Sequence, residues 1–183
     1  MRDAVSGSYD KTARVWDILS GTCLQVLRGH TQRVYSVVYD PVKQRAATGA
    51  MDGSLRLWST ETGDCLHQLV GHEALVGLIG LNPRTLVSAA AGSTLRVWNS
   101  DSGQCQSTLS AHSGAITCFQ HDDTKVVSGG DGSLKLWDVK TGKFIRDLLV
   151  SLQGIWQVGF QDGFCVASVL RNGQSEFDSA LVC

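Results

Sequence analysis

An all-β fold of stacked, repeated four-stranded units is predicted by the spacing of four tryptophans and by what recurs around them. Trp16, Trp58, Trp98 and Trp137 follow one another at steps of 42, 40 and 39 residues. Each closes a short alternating stretch, in turn RVWD, RLWS, RVWN and KLWD. Gly29-His30, Gly71-His72 and Ala111-His112 lie 25 to 28 residues before the next tryptophan, and Asp10, Asp52 and Asp131 each lie six before one. A fixed period near 40 residues marks units that bury their apolar faces only by stacking on their neighbours.

Taken in order, almost every segment reads as a strand. The chain enters with Asp3–Ser8, Ala13–Ile18 and Cys23–Arg28. Four-strand sets follow from Val34 to Val70, Leu75 to Ser110 and Ile116 to Leu149. A last, degenerate set begins near Ile155, continues at Phe164–Arg171 and ends at Phe177–Cys183. Alternation of apolar and polar residues is clear in Val34–Tyr39, Arg45–Met51 and Leu55–Thr60. Asp52-Gly53, Asp131-Gly132 and Asn172-Gly173 favour tight hairpins. Pro41 and Pro83 each follow an inner-strand pattern, and no amphipathic helical stretch is present.

These recurring features resemble the WD-repeat family, whose unit is one four-stranded blade of a β-propeller. The repeats fall at about 1–22, 23–64, 65–104, 105–143 and 144–183 of one domain. Three blades are complete and two are partial, the first without its innermost strand and the last without its outermost. These pieces belong to different blades and cannot complete one another. The expectation is an incomplete propeller, the C-terminal part of a seven- or eight-bladed ring that starts upstream of Met1. A small closed ring of four or five blades is the alternative.

Composition narrows the function classes. Hydrophobic residues are 43% and the formal net charge is -1, so no basic footprint argues for nucleic acid. No apolar run approaches the roughly 20 residues that a membrane-spanning helix needs. The N-terminal MRDAVSGSYD lacks the apolar core of a signal peptide. Cys23, Cys65 and Cys105 hold one place in successive repeats, and with Cys118, Cys165 and Cys183 they read as reduced thiols, half-buried, in a nuclear or cytoplasmic protein. No CxxC pair occurs, and Cys118 and His121 point to opposite faces of a strand, so neither metal nor cofactor is expected.

His30, Thr48 and Asp52 recur as a group with Trp58, and His112, Ser128, Asp131 and Trp137 echo them. A Ser/Thr-His-Asp set raises the question of nucleophilic catalysis. A catalytic triad occurs once, beside a pocket; this set recurs blade by blade, with a tryptophan about ten residues after each hydroxyl. The family resemblance implies a structural hydrogen-bond chain from Trp to Ser/Thr to His to Asp, and no enzyme. His72, Ser88 and Trp98 form the third set, with Gly92 in place of the aspartate. Ser6, Asp10 and Trp16 form a first set without its histidine, and the fourth is one residue short between Ser128 and Asp131. Arg14, Arg56, Arg96 and Lys135, each two before a tryptophan, are expected on the solvated outer side of a strand.

Binding on such folds belongs to loops and to the rim of the central channel. Tyr9 and Met51 precede the turn aspartates; Arg33 and Tyr35 open an inner strand; Trp156 opens the inner strand of the last blade and Arg171 ends its next strand. These six are the candidate partner-binding residues.

The segments HTQRVYSVVYD and KLWDVKTGKFIRDLL, followed by a last blade carrying IWQV and LRNG, are similar to F-box/WD-repeat ubiquitin-ligase receptors of the archipelago class, also called F-box and WD-repeat protein seven. That resemblance covers nearly the whole chain. It implies phosphorylated protein partners bound across the top face, with Tyr9, Tyr35, Trp156 and Arg171 on or near the groove. It places the main phosphate-binding arginines upstream of Met1. The F-box, with its Skp-type adaptor and cullin-RING ligase, likewise belongs to regions outside this chain. A WD-repeat scaffold unrelated to ubiquitin is the competing class.

Overall fold

A computed structural model describes residues 3–110 and 112–181. Among them, eighteen strands make five sheets, and in each sheet strand order follows chain order. The first sheet holds β1 (Asp3–Gly7), β2 (Thr12–Asp17) and β3 (Cys23–Arg28). The second holds β4 (Val34–Asp40), β5 (Arg45–Ala50), β6 (Leu55–Ser59) and β7 (Cys65–Leu69). The third holds β8 (Val76–Leu81), β9 (Thr85–Ala90), β10 (Leu95–Asn99) and β11 (Cys105–Leu109). The fourth holds β12 (Ile116–His121), β13 (Lys125–Gly130), β14 (Ser133–Asp138) and β15 (Phe144–Leu149). The fifth holds β16 (Gly154–Gln161), β17 (Phe164–Arg171) and β18 (Gln174–Leu181). The expected last strand reached Cys183, which lies outside the described residues. Three four-stranded sheets flanked by two three-stranded ones match the expected blades.

The chain divides into two compact units. One takes the described residues up to Ala91 with Trp98–Cys105; the other takes Gly92–Val97 and the described residues from Gln106 onward. In the first unit Trp58 and Trp98 are mortar between blades. Trp58 of the second sheet packs on Ala13, Val15 and Leu27 of the first, and Trp98 of the third packs on Leu55, Leu57 and Leu69 of the second. In the second unit, Cys118, Val127, Leu134 and Leu136 meet Ile155, Val158, Cys165, Ala167 and Val169 of the last blade. Truncating a buried aromatic of this kind costs about 3–5 kcal/mol.

Three expectations need correction. Arg45–Met51 does not alternate: all six residues of β5 are buried. It is a middle strand with both faces covered, and its small residues are required, since a Cβ on Gly49 would lie 2.6 Å from Ser36 Oγ and 2.7 Å from Val76 Cγ1. The thiols of Cys23, Cys65 and Cys105 are exposed rather than half-buried, because each begins an outer strand; Cys118 and Cys165 are buried. Burial and the Cys118 thiol push the Cys165 thiol up to about 11. Finally, Arg14, Arg56, Arg96 and Lys135 are half-buried, not freely solvated. Their aliphatic stems cover the strand, with the Arg56 guanidinium 5.9 Å from the centre of the Trp58 ring and Lys135 Nζ 2.7 Å from Asp147.

Turn chemistry explains the short fourth repeat. Gly130 pairs with Ser133, leaving Asp131-Gly132 as a two-residue loop with φ of 46° and 72°. Both central residues take the left-handed region that this hairpin twist demands. Asn172-Gly173 and Asp162-Gly163 do the same in the last blade.

Candidate functional site

Each complete set of recurring residues closes a hydrogen-bond chain. Trp58 Nε1 donates to Thr48 Oγ1 at 2.8 Å, His30 Nε2 lies 2.8 Å from the same oxygen, and His30 Nδ1 lies 3.2 Å from Asp52. A carboxylate only accepts, so the histidine proton sits on Nδ1 and the threonine hydroxyl donates to Nε2. The fourth set repeats this, with Trp137 and His112 each 2.8 Å from Ser128 Oγ, and His112 Nδ1 2.8 Å from Asp131. Both aspartates also take the N–H of the residue after their histidine, Thr31 at 2.9 Å and Ser113 at 2.6 Å. In the third set, Trp98 and His72 meet on Ser88 Oγ at 2.8 Å each. In the first, Trp16 donates to Ser6 at 2.9 Å, while Asp10 accepts from the N–H and hydroxyl of Thr12.

The polarity of this chain is that of a catalytic triad, and burial separates the two. Thr48, Ser88 and Ser128 are 0% exposed, and each hydroxyl oxygen already accepts a tryptophan N–H. No acyl group can approach such an oxygen. The electrostatics suit a buried strut. Burial alone would raise the Asp52 carboxyl, but the Ser54 hydroxyl, the Thr31 and Ser54 N–H groups and His30 outweigh it and hold it well below the carboxylate range. Asp131 is likewise held down against burial by His112, Ser113 and Ser133. Burial lowers His30, the charge of Asp52 notwithstanding.

The rim of the first unit carries a different chemistry. Tyr9 sits on the β1–β2 turn, where Asp10 grips Thr12 and Lys11 adopts a left-handed φ of 73°. Tyr35 is the extra residue of a bulge in β4, between Val34 and Ser36, which turns its ring outward. The two rings lie 5.2 Å apart at 39°, and the Arg33 guanidinium sits 5.0 Å from the centre of the Tyr9 ring. Interaction between the two phenols raises Tyr9 and lowers Tyr35, and Arg33 adds to the lowering of Tyr35. Met51 donates its N–H to the Arg33 carbonyl at 2.9 Å. Tyr9, Arg33 and Met51 line a shallow depression of about 420 Å³ with Lys11, Thr31 and Gln32. Sequence reasoning missed those last three; the only signal for them is that they flank turn and tetrad residues in the same repeats.

Trp156 and Arg171 belong to the second unit. Trp156 is the bulged residue of β16, between Ile155 and Gln157, and is 59% exposed. Arg171 is already committed: its guanidinium lies 3.1 Å from Glu176 and 2.8 Å from Asp178, both on β18. Among the described residues no group of three or more His, Cys, Asp or Glu could hold a metal ion, and no helix is long and apolar enough to cross a membrane.

The chain matches the model of the WD domain, G-beta repeat, over residues 3–17, 21–59 and 103–138. It is 50% identical over 169 residues to cell division control protein 4 of Candida albicans, an alignment covering 91% of this chain and 25% of the relative. The chain thus spans about a quarter of that relative's length. It is 33% identical over 172 residues to regulator of rDNA transcription protein 13 of Saccharomyces cerevisiae, covering 82% of this chain and 93% of the relative. Among solved structures, the computationally designed Ika8 protein superposes with a TM-score of 0.89 at 30% identity, over 100% of this chain and 56% of the design. With its five sheets and recurring Trp–Ser/Thr–His links, the chain belongs to the WD-repeat family of β-propeller proteins.

Proposed function

We propose that this chain is part of the substrate-recognition propeller of an F-box-type ubiquitin ligase, and that its rim binds phosphorylated segments of partner proteins. The Skp-type adaptor and the cullin-RING ligase would be engaged through regions outside these residues, in the nucleus or the cytoplasm. The observation that carries the reading is the exposed wall of Tyr9, Arg33, Tyr35 and Met51. Phosphate is best held by guanidinium forks, with phenol hydroxyls as added donors and aromatic faces against proline or aliphatic side chains. Tyr9 and Tyr35 are both exposed beside the Arg33 guanidinium, so their phenols are open to an anion. The resemblance of the last blade to F-box/WD-repeat receptors supports the same reading. The test is titration of labelled peptides, phosphorylated and unphosphorylated, into the protein. Preference for the phosphorylated form, reduced by substitutions at Arg33 and Tyr35, is expected.

A second reading, a general WD-repeat scaffold, is favoured by Arg171. The guanidinium expected to help hold a phosphate is shared between two carboxylates of its own blade. Equal affinity for both peptide forms selects this reading.

A further inference from the structure

The chain has three tyrosines, and two of them pack on each other in the open. Tyr9 is 62% exposed and Tyr35 is 41% exposed, so no core holds either ring. Their centroids are nonetheless 5.2 Å apart, the spacing of an interacting aromatic pair. Each ring stands on a fixed mount. Tyr9 rides the β1–β2 turn, where Asp10 accepts both the N–H and the hydroxyl of Thr12. Tyr35 is set by the β4 bulge. The two mounts are tied by backbone, since Val34 N–H donates to the Ser8 carbonyl at 3.1 Å. One residue beyond each partner of that bond stands a tyrosine.

The surroundings suit oxidation of these phenols. A phenol that loses an electron releases its proton, so a cation that favours the phenolate favours the oxidation. The Arg33 guanidinium lies 5.0 Å from the centre of the Tyr9 ring, and Tyr9 and Arg33 together lower the Tyr35 phenol. Two phenoxyl radicals held side by side couple without having to meet by diffusion. Tyr39 is placed otherwise: its hydroxyl turns to the Asp3 carboxylate at 3.5 Å, and burial and Asp3 raise it.

We propose that Tyr9 and Tyr35 are an oxidative modification site, joined into an intramolecular dityrosine by a one-electron oxidant, a haem peroxidase acting with hydrogen peroxide. Each phenol gives up one electron and one proton. The two radicals bond through ring carbons ortho to their hydroxyls, and each ortho hydrogen moves to its own oxygen as the rings regain aromaticity. The protein loses two hydrogens, and one hydrogen peroxide becomes two waters. The new bond staples the β1–β2 turn of the first sheet to β4 of the second, a tie that the native chain makes only by hydrogen bonds and packing. The proposal is independent of what the rim binds.

The test is brief treatment of the protein with horseradish peroxidase and hydrogen peroxide, followed by dityrosine fluorescence, intact mass and tryptic mapping. A monomer lighter by two hydrogens is expected, with peptides Asp3–Lys11 and Val34–Lys43 joined and fragment ions placing the link at Tyr35. Its yield should not change with protein concentration. Tyr9→Phe and Tyr35→Phe should each abolish the product, and Tyr39→Phe should retain it. The coupled protein should melt at a higher Tm, because a covalent tie restricts the unfolded chain. Cross-linked dimers without an intramolecular product, a link through Tyr39, or oxidation confined to Met51 and the tryptophans would each overturn the site. A Tm that does not rise would overturn the staple.

Discussion

Arg45 reaches out of its own blade to place a guanidinium nitrogen 2.9 Å from the carboxylate of Asp101, fifty-six residues further on. The same group donates to the Ser100 carbonyl at 2.9 Å and the Pro83 carbonyl at 3.0 Å, and Lys43 Nζ joins it on Pro83 and Asp101 at 2.6 and 2.8 Å. Arg45 is 8% exposed while the Asp101 side chain is 60% exposed. The clamp is therefore asymmetric, a buried fork on carbonyls with a solvated ion pair at its tip. Arg45→Ala should destabilise by about 1–3 kcal/mol, because the buried Ser100 carbonyl loses its donor. Asp101→Asn should cost under about 1 kcal/mol, as exposed pairs do. Urea unfolding of both variants checks the order; equal losses would contradict it.

His30→Ala should lower stability by roughly 1–3 kcal/mol, since the buried Thr48 hydroxyl loses its acceptor and Asp52 loses one of its donors. A thermal melt of the variant reads this directly. An unaltered Tm would mean that the Trp58–Thr48–His30–Asp52 chain contributes nothing to the fold.

Acid should destabilise the protein, by two routes of the same sign. Burial depresses His30 below its ordinary 6.5, so the unfolded chain takes that proton first, and stability is lost as pH falls below 6.5. Asp52 and Asp131 are depressed below 3.8, and so is Asp122, at about 2 despite burial, by Thr124 and Lys125. Their stabilisation is present above 3.8 and disappears as pH falls toward their folded values. Urea midpoints measured from neutral pH downward should fall in two phases. A midpoint that rose between neutral pH and 5 would refute the His30 assignment.

Gly132→Ala should be severely destabilising. The added Cβ would sit 2.2 Å from the Leu152 carbonyl oxygen, at a φ of 72° that alanine adopts with strain. Leu152 N donates to the Gly132 carbonyl at 3.0 Å, so the loop cannot move away freely. Gly173→Ala, with the same φ sign and nothing within 4 Å, isolates the backbone part of the cost. A smaller Tm loss there than at Gly132 is the expected result.

At the rim, Tyr35→Phe should weaken phosphopeptide binding by about 0.5–1.5 kcal/mol, one neutral hydrogen bond. Trp156→Ala should cost more, because aromatic anchors dominate such interfaces. Arg171→Ala should change affinity little, its guanidinium being already held by Glu176 and Asp178. A loss at Arg171 exceeding that at Tyr35 would show that a ligand displaces both carboxylates.

The repeat period, the strand content and the members of the Trp–Ser/Thr–His–Asp sets were legible along the chain. They depend on local alternation, turn residues and in-register recurrence, which a linear string preserves. The short fourth repeat was legible too, though its cause was not. It closes because Asp131 and Gly132 both take left-handed backbone and bring the carboxylate back onto His112. The folded arrangement alone decided what depends on which strands become neighbours. No repeat spacing shows that Lys43 and Arg45 clamp the next blade, or that the small residues after them let β5 be covered on both faces. Arg171, a candidate partner-binding residue by its place in the repeat, is held by Glu176 and Asp178 once the β17–β18 hairpin sets them together. Tyr9 and Tyr35 are 26 positions apart, and the β4 bulge brings their rings into contact. Period and composition set which residues each blade owns; side-chain reach across blades, which no spacing encodes, set what they do.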